Sequence, residues 1–221
     1  PLLTGEGVEW LLQGTPGTTA RWRDRLSFML GSHWVPHGYG WVFPMEADRL
    51  KIGVCRMAPP AGTSRPLSVS LSGLLQRCGL GHLPVLDRHG GRVSSTVNRQ
   101  EQLGDGALWA VGDAASTANL LGGEGIRHAM DSAAILGQCL LTRRPRMKYR
   151  SLLLQHFGWR WRVSNRLARR TWWGLDDQQA DRRMARLIDG LSGQASAEGL
   201  SNLLFHYRFE WYGWRLLPYL L

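Results

Sequence analysis

Short apolar and aromatic runs alternate with turn residues in the first part of the chain. The runs extend from Leu26 to Leu30, from Tyr39 to Phe43 and from Leu50 to Val54, and Gly, Pro and charged residues separate them. Runs of this length between turn residues predict β-strands. A further strand is predicted from Arg92 to Val97, so we expect a sheet in this part of the chain.

Apolar residues at helical spacing follow. Leucines at four positions predict a helix from Leu67 to Cys78 that ends near Gly79, after a loop from Pro59 to Pro66. From Met147 onward the pattern favours two or three more helices. Breaks are expected around Trp173-Gly174 and between Leu191 and Gly199.

One stretch has the pattern of a strand, a loop and a helix N-terminus. An apolar run from Leu108 to Val111 stops at Gly112-Asp113, and Gly122-Gly123-Glu124-Gly125 opens a helical pattern. Such a turn leaves backbone N–H groups unpaired, which favours an anion such as a phosphate. An ordinary strand-to-helix connection is the alternative.

The helix after this loop is predicted to bury a narrow face of mainly small residues. Its members recur at helical spacing and are Ile126, Ala129, Met130, Ala133, Gly137 and Leu140. His128 is predicted to lie on the surface of this helix and not to act as a catalytic base.

The two halves of this stretch resemble the second flavin-binding motif of the geranylgeranyl reductase family. They are Gly112-Asp113-Ala114-Ala115 and Gly123-Glu124-Gly125-Ile126. Members of that family are flavoproteins with the p-hydroxybenzoate hydroxylase fold. The resemblance implies that Asp113 binds the ribityl hydroxyls of FAD, while the backbone of Gly122, Gly123, Glu124, Gly125 and Ile126 faces the pyrophosphate and the isoalloxazine edge. For Glu124 we expect the backbone to matter more than the carboxylate.

A second motif reads Tyr39-Gly40-Trp41-Val42-Phe43-Pro44, with Gly53 downstream. It resembles the Y-x-W-x-F-P segment and downstream G-x-G of the same family, which lie on the substrate-side sheet near the isoprenoid pocket. Strand alternation places Tyr39, Trp41 and Phe43 on one face, where they line a substrate pocket or fill the core beneath the sheet.

The chain departs from this second motif at Cys55, which stands where the family has its second glycine. A larger side chain there would reshape the pocket. Buried cysteine usually acts as a small hydrophobe, so we assign Cys55 to the pocket wall. The candidate pocket then consists of Tyr39, Trp41, Phe43, Pro44, Gly53 and Cys55, and the sequence identifies no catalytic residue.

A first dinucleotide-binding turn is not found. No G-x-G-x-x-G follows a strand near the start, and His128 occupies the third position after Gly123 and Gly125. A Rossmann-type FAD site needs that turn. We therefore expect the chain to be the C-terminal portion of a longer protein, without the N-terminal Rossmann portion, and to bind flavin weakly or not at all in isolation.

The expected fold is α+β or α/β, in three parts. Residues 1–103 are predicted to form part of a substrate-side mixed β-sheet domain. Residues 104–142 are predicted to be the returning strand, loop and helix of an FAD-binding domain, and residues 143–221 a basic, Trp-rich helical extension.

The net charge of +10 comes entirely from one segment. Between Arg143 and Arg186 there are thirteen basic residues and three aspartates, with Trp159, Trp161, Trp172 and Trp173 among them. Arginine interleaved with tryptophan is typical of proteins on anionic membrane surfaces, and it also occurs in nucleic-acid binding and in helical bundles with core tryptophans. No nucleic-acid-binding motif is present, which disfavours the second alternative.

Three widely spaced cysteines without a C-x-x-C pair argue against a disulfide framework or a metal site. A reducing compartment, the cytoplasm, fits this usage, with peripheral attachment to a membrane left open. No apolar run is long enough to span a bilayer.

The resemblance implies an FAD-dependent oxidoreductase that reduces C=C bonds of an isoprenoid substrate, with NAD(P)H or another donor as reductant. A flavin-dependent monooxygenase and a lycopene-cyclase-like enzyme of the same fold are alternatives. A different class of hypothesis is a non-enzymatic module that binds a membrane surface or a partner through residues 143–221.

Overall fold

The structure is a computed structural model, and it describes residues 2–58, 65–95, 102–192, 196–204 and 206–211. The chain forms two compact units. The sheet unit comprises residues 5–92 and 172–190, and the motif unit comprises residues 1–4, 93–171 and 191–221. The segment after residue 143 contributes to both units.

A five-stranded sheet is the framework of the sheet unit. Its strands are β1 (Leu3–Gln13), β2 (Ser27–Leu30), β3 (Gly38–Met45), β4 (Arg49–Met57) and β5 (Val85–Ser95), in the order β2-β3-β4-β1-β5. The three strands predicted between residues 26 and 54 are confirmed as β2, β3 and β4.

The pairing differs from the mixed sheet that we expected. Strand β3 pairs antiparallel with both β2 and β4, and β4 pairs antiparallel with β1. The physical reason is the short turn between β3 and β4, because parallel strands need a crossover of a dozen residues or more.

Strand β1 was not predicted, although it lies between β4 and β5. Two glycines and two glutamates, Gly5, Gly7, Glu6 and Glu9, interrupt its apolar pattern. Strand β5 begins at Val85, well before the predicted start at Arg92, and the predicted end at Val97 lies outside the described residues.

Helix α2 (Leu67–Arg77) packs against the sheet, and together they form the main apolar core of the sheet unit. The spacing of the leucines in α2 predicts this packing. Leu71 and Leu74 are almost fully buried and belong to one cluster with Val42 and Ile52 of the sheet. A side chain begun at Gly40 would lie 2.9 Å from Leu74 Cδ2, so this glycine permits close packing. Each fully buried leucine contributes about 1.5–3 kcal/mol.

The sheet unit also contains α1 (Pro16–Thr19) and most of α5 (Gln178–Ser192). The side chain of Thr15 caps α1. Helix α5 is fixed through Asp181, whose carboxylate accepts hydrogen bonds from the Ser32 N–H over 2.6 Å and the Ser32 hydroxyl over 2.9 Å.

The motif unit contains a short hairpin and three helices in the residues described. Strands β6 (Gly104–Asp105) and β7 (Leu108–Trp109) pair antiparallel, so the strand predicted from Leu108 to Val111 covers only two residues. The helices are α3 (Ile126–Leu140), α4 (Pro145–Ala168) and α6 (Ala197–Leu204). The expected helices after Met147 are therefore present, with a π-helical turn at Arg169–Trp173.

The predicted buried face of α3 is wrong. Ile126, Met130 and Leu140 are 83%, 68% and 50% exposed, whereas His128 and Ser132 are buried. His128 and Ser132 are buried because they form hydrogen bonds with residues of other segments. Apolar spacing along one helix carries no information about such partners.

The tryptophans of the basic segment divide between interior and surface. Trp161 and Trp172 are buried, as the helical-bundle alternative predicts, and Trp159 is 46% exposed. The burial of Trp161 and Trp172 shows that a tryptophan next to arginines in this segment does not always lie on the surface.

Gly53→Ala tests the tightest packing in the sheet. A Cβ at Gly53 would lie 2.2 Å from Trp41 Cζ2, so the indole or the strands must shift. We expect chemical denaturation to show a loss of about 1–3 kcal/mol in the free energy of unfolding. Gly73→Ala in α2 is the matched control, because its Cβ would meet nothing within 4 Å and alanine favours a helix by about 1 kcal/mol. Equal effects in the two variants would contradict the packing argument.

Candidate functional site

The turn after β7 has a backbone conformation that glycine adopts most easily. Gly112 has a φ of +57° and begins the 3-10 turn Gly112–Ala115. A side chain begun there would lie 2.9 Å from Ala129 Cβ on α3. The Gly112 N–H donates a hydrogen bond to Ser132 Oγ over 2.8 Å. Both the φ angle and the close approach of α3 therefore require glycine.

The two halves of the first motif converge at the start of α3. Asp113 is exposed, and its Oδ1 lies 3.6 Å from the position that a Cβ on Gly125 would take. Gly125 is the N-cap of α3 and gives it no side-chain hydrogen bond, and the first turn holds no acidic residue. The N-terminus of this 15-residue helix is therefore suited to an anion.

The loop between the two halves is closed by its own hydrogen bonds. Asn119 and Glu124 exchange two backbone hydrogen bonds of 2.8 and 3.0 Å. The Asn119 Oδ1 accepts hydrogen bonds from the Leu121 N–H and from the Ser164 hydroxyl of α4. Gly123 has a φ of +69°, which completes the turn.

Two buried polar atoms of this loop, Thr117 Oγ1 and Asn119 Nδ2, have no hydrogen-bond partner within the part of the chain that the structure describes. Leaving such an atom unsatisfied costs about 1–3 kcal/mol. Together with the exposed Asp113 and the N-terminus of α3, they fit a ligand such as FAD, which combines hydroxyls, amide groups and phosphates.

The Glu124 carboxylate is more engaged than the sequence led us to expect. Arg127 binds it with both Nε (2.6 Å) and Nη2 (2.9 Å), and the Tyr207 hydroxyl donates to its Oε2 over 2.7 Å. Burial alone would raise the pKa of Glu124, but the hydrogen bonds from Arg127 and Tyr207 outweigh it and hold the pKa below its usual value. The carboxylate is thus ionised and fixed in place.

His128 is buried, which corrects its predicted place on the helix surface. Its Nε2 lies 3.0 Å from the Tyr207 hydroxyl and 3.3 Å from Glu124 Oε2. Its ring packs edge-on against Trp161, with the centroids 4.6 Å apart. Burial lowers the pKa of His128 to about 4, against the opposing pull of Glu124. The spacing of Glu124 and His128, four residues apart, is the one sequence signal that could have indicated their contact.

The second motif forms a continuous aromatic surface on the sheet. Tyr39, Trp41 and Phe43 lie on one face of β3, as predicted, with ring centroids about 6 Å apart along the strand. They are half-buried and are not members of the core cluster under α2. Phe28 of β2 and Trp172 extend this surface, which we call the aromatic face, at 5.2 Å from Phe43 and 5.4 Å from Tyr39.

A polar contact ends the aromatic face on the β1 side. Trp41 lies across Gly53 of β4, and its indole Nε1 donates to Glu9 Oε2 over 2.9 Å. Gly53 is the cross-strand partner of both Trp41 and Glu9, so the glycine creates the space for this contact. Glu9 also pairs with Lys51 and His89.

Cys55 and Pro44 have different relations to the aromatic face. Cys55 is the cross-strand partner of Tyr39. Burial raises the pKa of the Cys55 thiol to about 11 and also raises that of Tyr39, so both stay protonated near neutral pH. Pro44 pairs with Leu50 on the alternate position of β3, and it lines a separate cavity of about 330 Å³ with Thr19 and Arg23.

No group of three or more His, Cys, Asp or Glu side chains in the described ranges is arranged to hold a metal ion. Within those ranges, too, the helices are all too short or too polar to cross a bilayer.

The buried His128 predicts a pH dependence of stability. Its folded pKa of about 4 lies below the ordinary value of 6.5, so between these values the unfolded chain binds a proton that the folded chain does not. Folding stability contributed by the neutral histidine is therefore complete above pH 6.5 and is lost as the pH falls toward 4. The charged groups facing His128 are Glu124, Arg127 and Asp131.

Urea denaturation from pH 7.5 to 4.5 measures this effect. We expect His128→Gln to flatten the decline in unfolding free energy relative to the unmodified protein. His82→Gln, at an exposed position, is the control and should leave the slope unchanged. An identical slope in all three proteins would show that His128 does not carry the dependence.

Comparison with known proteins gives both sequence and structural relatives, although no protein-family model matches the chain. A digeranylgeranylglycerophospholipid reductase of Methanococcoides burtonii is 26% identical over 161 residues, which cover 70% of this chain and 39% of the relative. A menaquinone reductase of Mycobacterium tuberculosis is 29% identical over 145 residues, 59% of this chain and 33% of the relative. The chain thus spans well under half the length of either protein.

The fold is similar to that of a solved structure. A geranylgeranyl bacteriochlorophyll reductase-like protein from Thermoplasma acidophilum superposes with a TM-score of 0.65 at 22% identity, over 98% of this chain and 55% of that protein. The resemblance carried by the two motifs is confirmed: the chain is similar to reductases of geranylgeranyl reductase type, a part of whose length it spans.

Proposed function

We propose that the chain is part of an FAD-dependent oxidoreductase that reduces C=C bonds in the isoprenoid chain of a lipid substrate. The observation that carries this proposal is the convergence of Asp113 and Gly125 at the uncapped N-terminus of α3. A carboxylate next to a helix N-terminus offers a hydroxyl acceptor beside an anion site.

In this proposal the cofactor contacts come mainly from the backbone. The N–H groups from Gly122 to Ile126 face the pyrophosphate and the edge of the flavin ring, Gly112 keeps the strand end close to α3, and Asp113 accepts hydrogen bonds from the ribityl hydroxyls. When bound and reduced by NAD(P)H or another donor, FAD would supply the hydride for saturation of an alkene, and a proton would be added to the adjacent carbon. The positive end of the α3 dipole favours negative charge on the reduced ring.

The aromatic face is the proposed substrate wall. An isoprenoid chain has no polar groups along its length, so its binding relies on burial of apolar surface, at roughly 25 cal/mol per Å². Tyr39, Trp41 and Phe43, with Gly53 and Cys55 beneath and beside them, present such a surface without belonging to the core. The names of the two relatives specify a digeranylgeranyl phospholipid and menaquinone as their substrates, which supports a lipid substrate here.

Asp113→Asn in the full native polypeptide tests the cofactor assignment. The neutral amide is a weaker acceptor than the carboxylate, so we expect FAD to bind about tenfold or more weakly in a fluorescence titration. Asp105→Asn is the matched control, since Asp105 is an exposed aspartate of the same unit, and it should bind FAD normally.

The reaction class is tested by mass analysis of the product after reduction of the same holoprotein, first without oxygen and then with oxygen admitted. A reductase adds two hydrogen atoms to each double bond without oxygen, a monooxygenase adds an oxygen atom only when oxygen is present, and a cyclase leaves the mass unchanged. Full FAD affinity in Asp113→Asn would overturn the assignment of Asp113 to the cofactor site. A product that has gained oxygen, or one of unchanged mass, would overturn the reductase assignment.

We also propose that the turn between α3 and α4 binds an anionic membrane surface. Leu141 in the turn and Met147 in the first turn of α4 are 92% and 68% exposed, and Arg143, Arg144 and Lys148 beside them are exposed as well. Apolar side chains flanked by basic ones suit the boundary between acyl chains and lipid phosphates. A lipid substrate would be taken up at such a surface.

Vesicle flotation tests this second proposal. The native polypeptide should float with phosphatidylglycerol vesicles at low salt, less so at high salt, and not with phosphatidylcholine alone. Replacing Arg143 and Arg144 by Gln should weaken flotation, because each basic residue near the surface contributes about 1 kcal/mol. The same replacement of the exposed pair Arg182 and Arg183 is the charge-matched control. Equal losses in the two variants would contradict a specific surface.

A further inference from the structure

The Gly122–Gly125 loop is connected to a segment far along the chain. The Tyr207 hydroxyl, which donates a hydrogen bond to Glu124 Oε2, lies 83 positions after Glu124 in the sequence. Tyr207 lies in residues 206–211, which we call the clamp segment. The contact brings part of the Trp-rich C-terminal region onto the first motif, within the motif unit.

The clamp segment is itself held firmly. Tyr207 is 4% exposed and has a φ of +53°, an uncommon backbone conformation for a residue with a side chain. Its ring lies 5.7 Å from that of Trp161 on α4. Glu210 of the same segment accepts a hydrogen bond from Arg160 over 2.6 Å. Packing and an ion pair thus impose the strained conformation that points the hydroxyl at Glu124.

The hydrogen bonds around Tyr207 form a single ordered chain. Because the single hydroxyl hydrogen of Tyr207 is used in the hydrogen bond to Glu124, His128 Nε2 must carry a hydrogen to donate to the Tyr207 oxygen. The other nitrogen, Nδ1, has no hydrogen-bond partner in the ranges described and lies 3.9 Å from Asp131 Oδ2. The order is therefore His128 to Tyr207 to Glu124, with Arg127 donating to Glu124 from the other side.

This chain acts on the part of the loop that the proposed cofactor would contact. Glu124 is paired through its backbone with Asn119 and is followed directly by Gly125, the N-cap of α3. Fixing the Glu124 side chain therefore restricts the peptide groups on both sides of it. Glycine-rich backbone is otherwise free to adopt many conformations, and ordering it on binding would weaken affinity.

We infer that Tyr207 is a positioning residue for the flavin site: through Glu124, the clamp segment holds the Gly122–Gly125 backbone and the start of α3 in the conformation that receives the cofactor. The inference rests on the proposed function, and it gives the C-terminal region a role other than membrane attachment. Tyr207 itself touches neither substrate nor reacting atoms in this account.

Tyr207→Phe removes one oxygen atom and keeps the buried ring. In the full native polypeptide we expect FAD to bind about tenfold more weakly. We also expect the backbone amides of residues 119–125 to exchange hydrogen faster before FAD is added. Tyr149→Phe is the matched control. It deletes the hydroxyl of another buried tyrosine in the same unit, which donates to the Ala110 carbonyl, so it should leave the exchange of residues 119–125 unchanged.

A double-mutant cycle separates positioning from general stability. If Tyr207 acts through Glu124, then Tyr207→Phe combined with Glu124→Gln should bind FAD no more weakly than Glu124→Gln alone. Additive losses would overturn the inference, as would normal affinity and exchange in Tyr207→Phe. If Tyr207→Phe does not fold, Glu124→Gln alone tests the same hydrogen bond, because it alters the acceptor and keeps the Tyr207 ring.

The two proposals fail in different ways. If the unmodified polypeptide binds no FAD, the proposed function fails and the positioning role fails with it. If the unmodified protein binds FAD and Tyr207→Phe binds it equally well, the function stands and only the positioning role is wrong.

Discussion

The position of one carboxylate organises the motif unit. Glu124 lies in a loop whose glycines impose little conformation of their own, and the ion pair with Arg127 and the hydrogen bond from Tyr207 restrain it. An ionised carboxylate that is mostly withdrawn from water must keep such partners, since leaving a buried charge unpaired is strongly destabilising. The Glu124 carboxylate therefore connects its own loop to Arg127 of α3 and to Tyr207 of the clamp segment.

The sheet unit depends on a different constraint, which is the unequal size of residues on its two faces. One face carries Val42, Ile52 and the leucines of α2, and it is dry. The other carries large rings, and it accommodates Trp41 only because β4 has Gly53 beneath the indole. A sheet that is packed on one side and ring-covered but half-exposed on the other leaves a surface for an apolar ligand without weakening its own core.

Local patterns predicted what is local. Strands β2, β3 and β4 and helix α2 follow from alternation and leucine spacing, and both motifs lie where the strand-and-turn pattern puts them. Strand β1 was not predicted because glycine and glutamate break its apolar pattern, although it lies between β4 and β5 in the sheet. The burial of His128 and the hold on Glu124 depend on Tyr207, and no periodicity within α3 can reveal a partner so distant in sequence. The apolar face of α3 was misassigned for the same reason.

Helix α4 is interrupted at Gly158, where φ is +46° and ψ is −145°. A residue outside helical geometry interrupts the ladder of backbone hydrogen bonds, so the helix segments before and after it can run in different directions. The first half begins beside the exposed basic turn, and the second half carries Ser164, which is bonded to Asn119 of the loop. Gly158 thus divides α4 into a half that follows the basic turn and a half that holds Asn119, so different neighbours set the directions of the two halves.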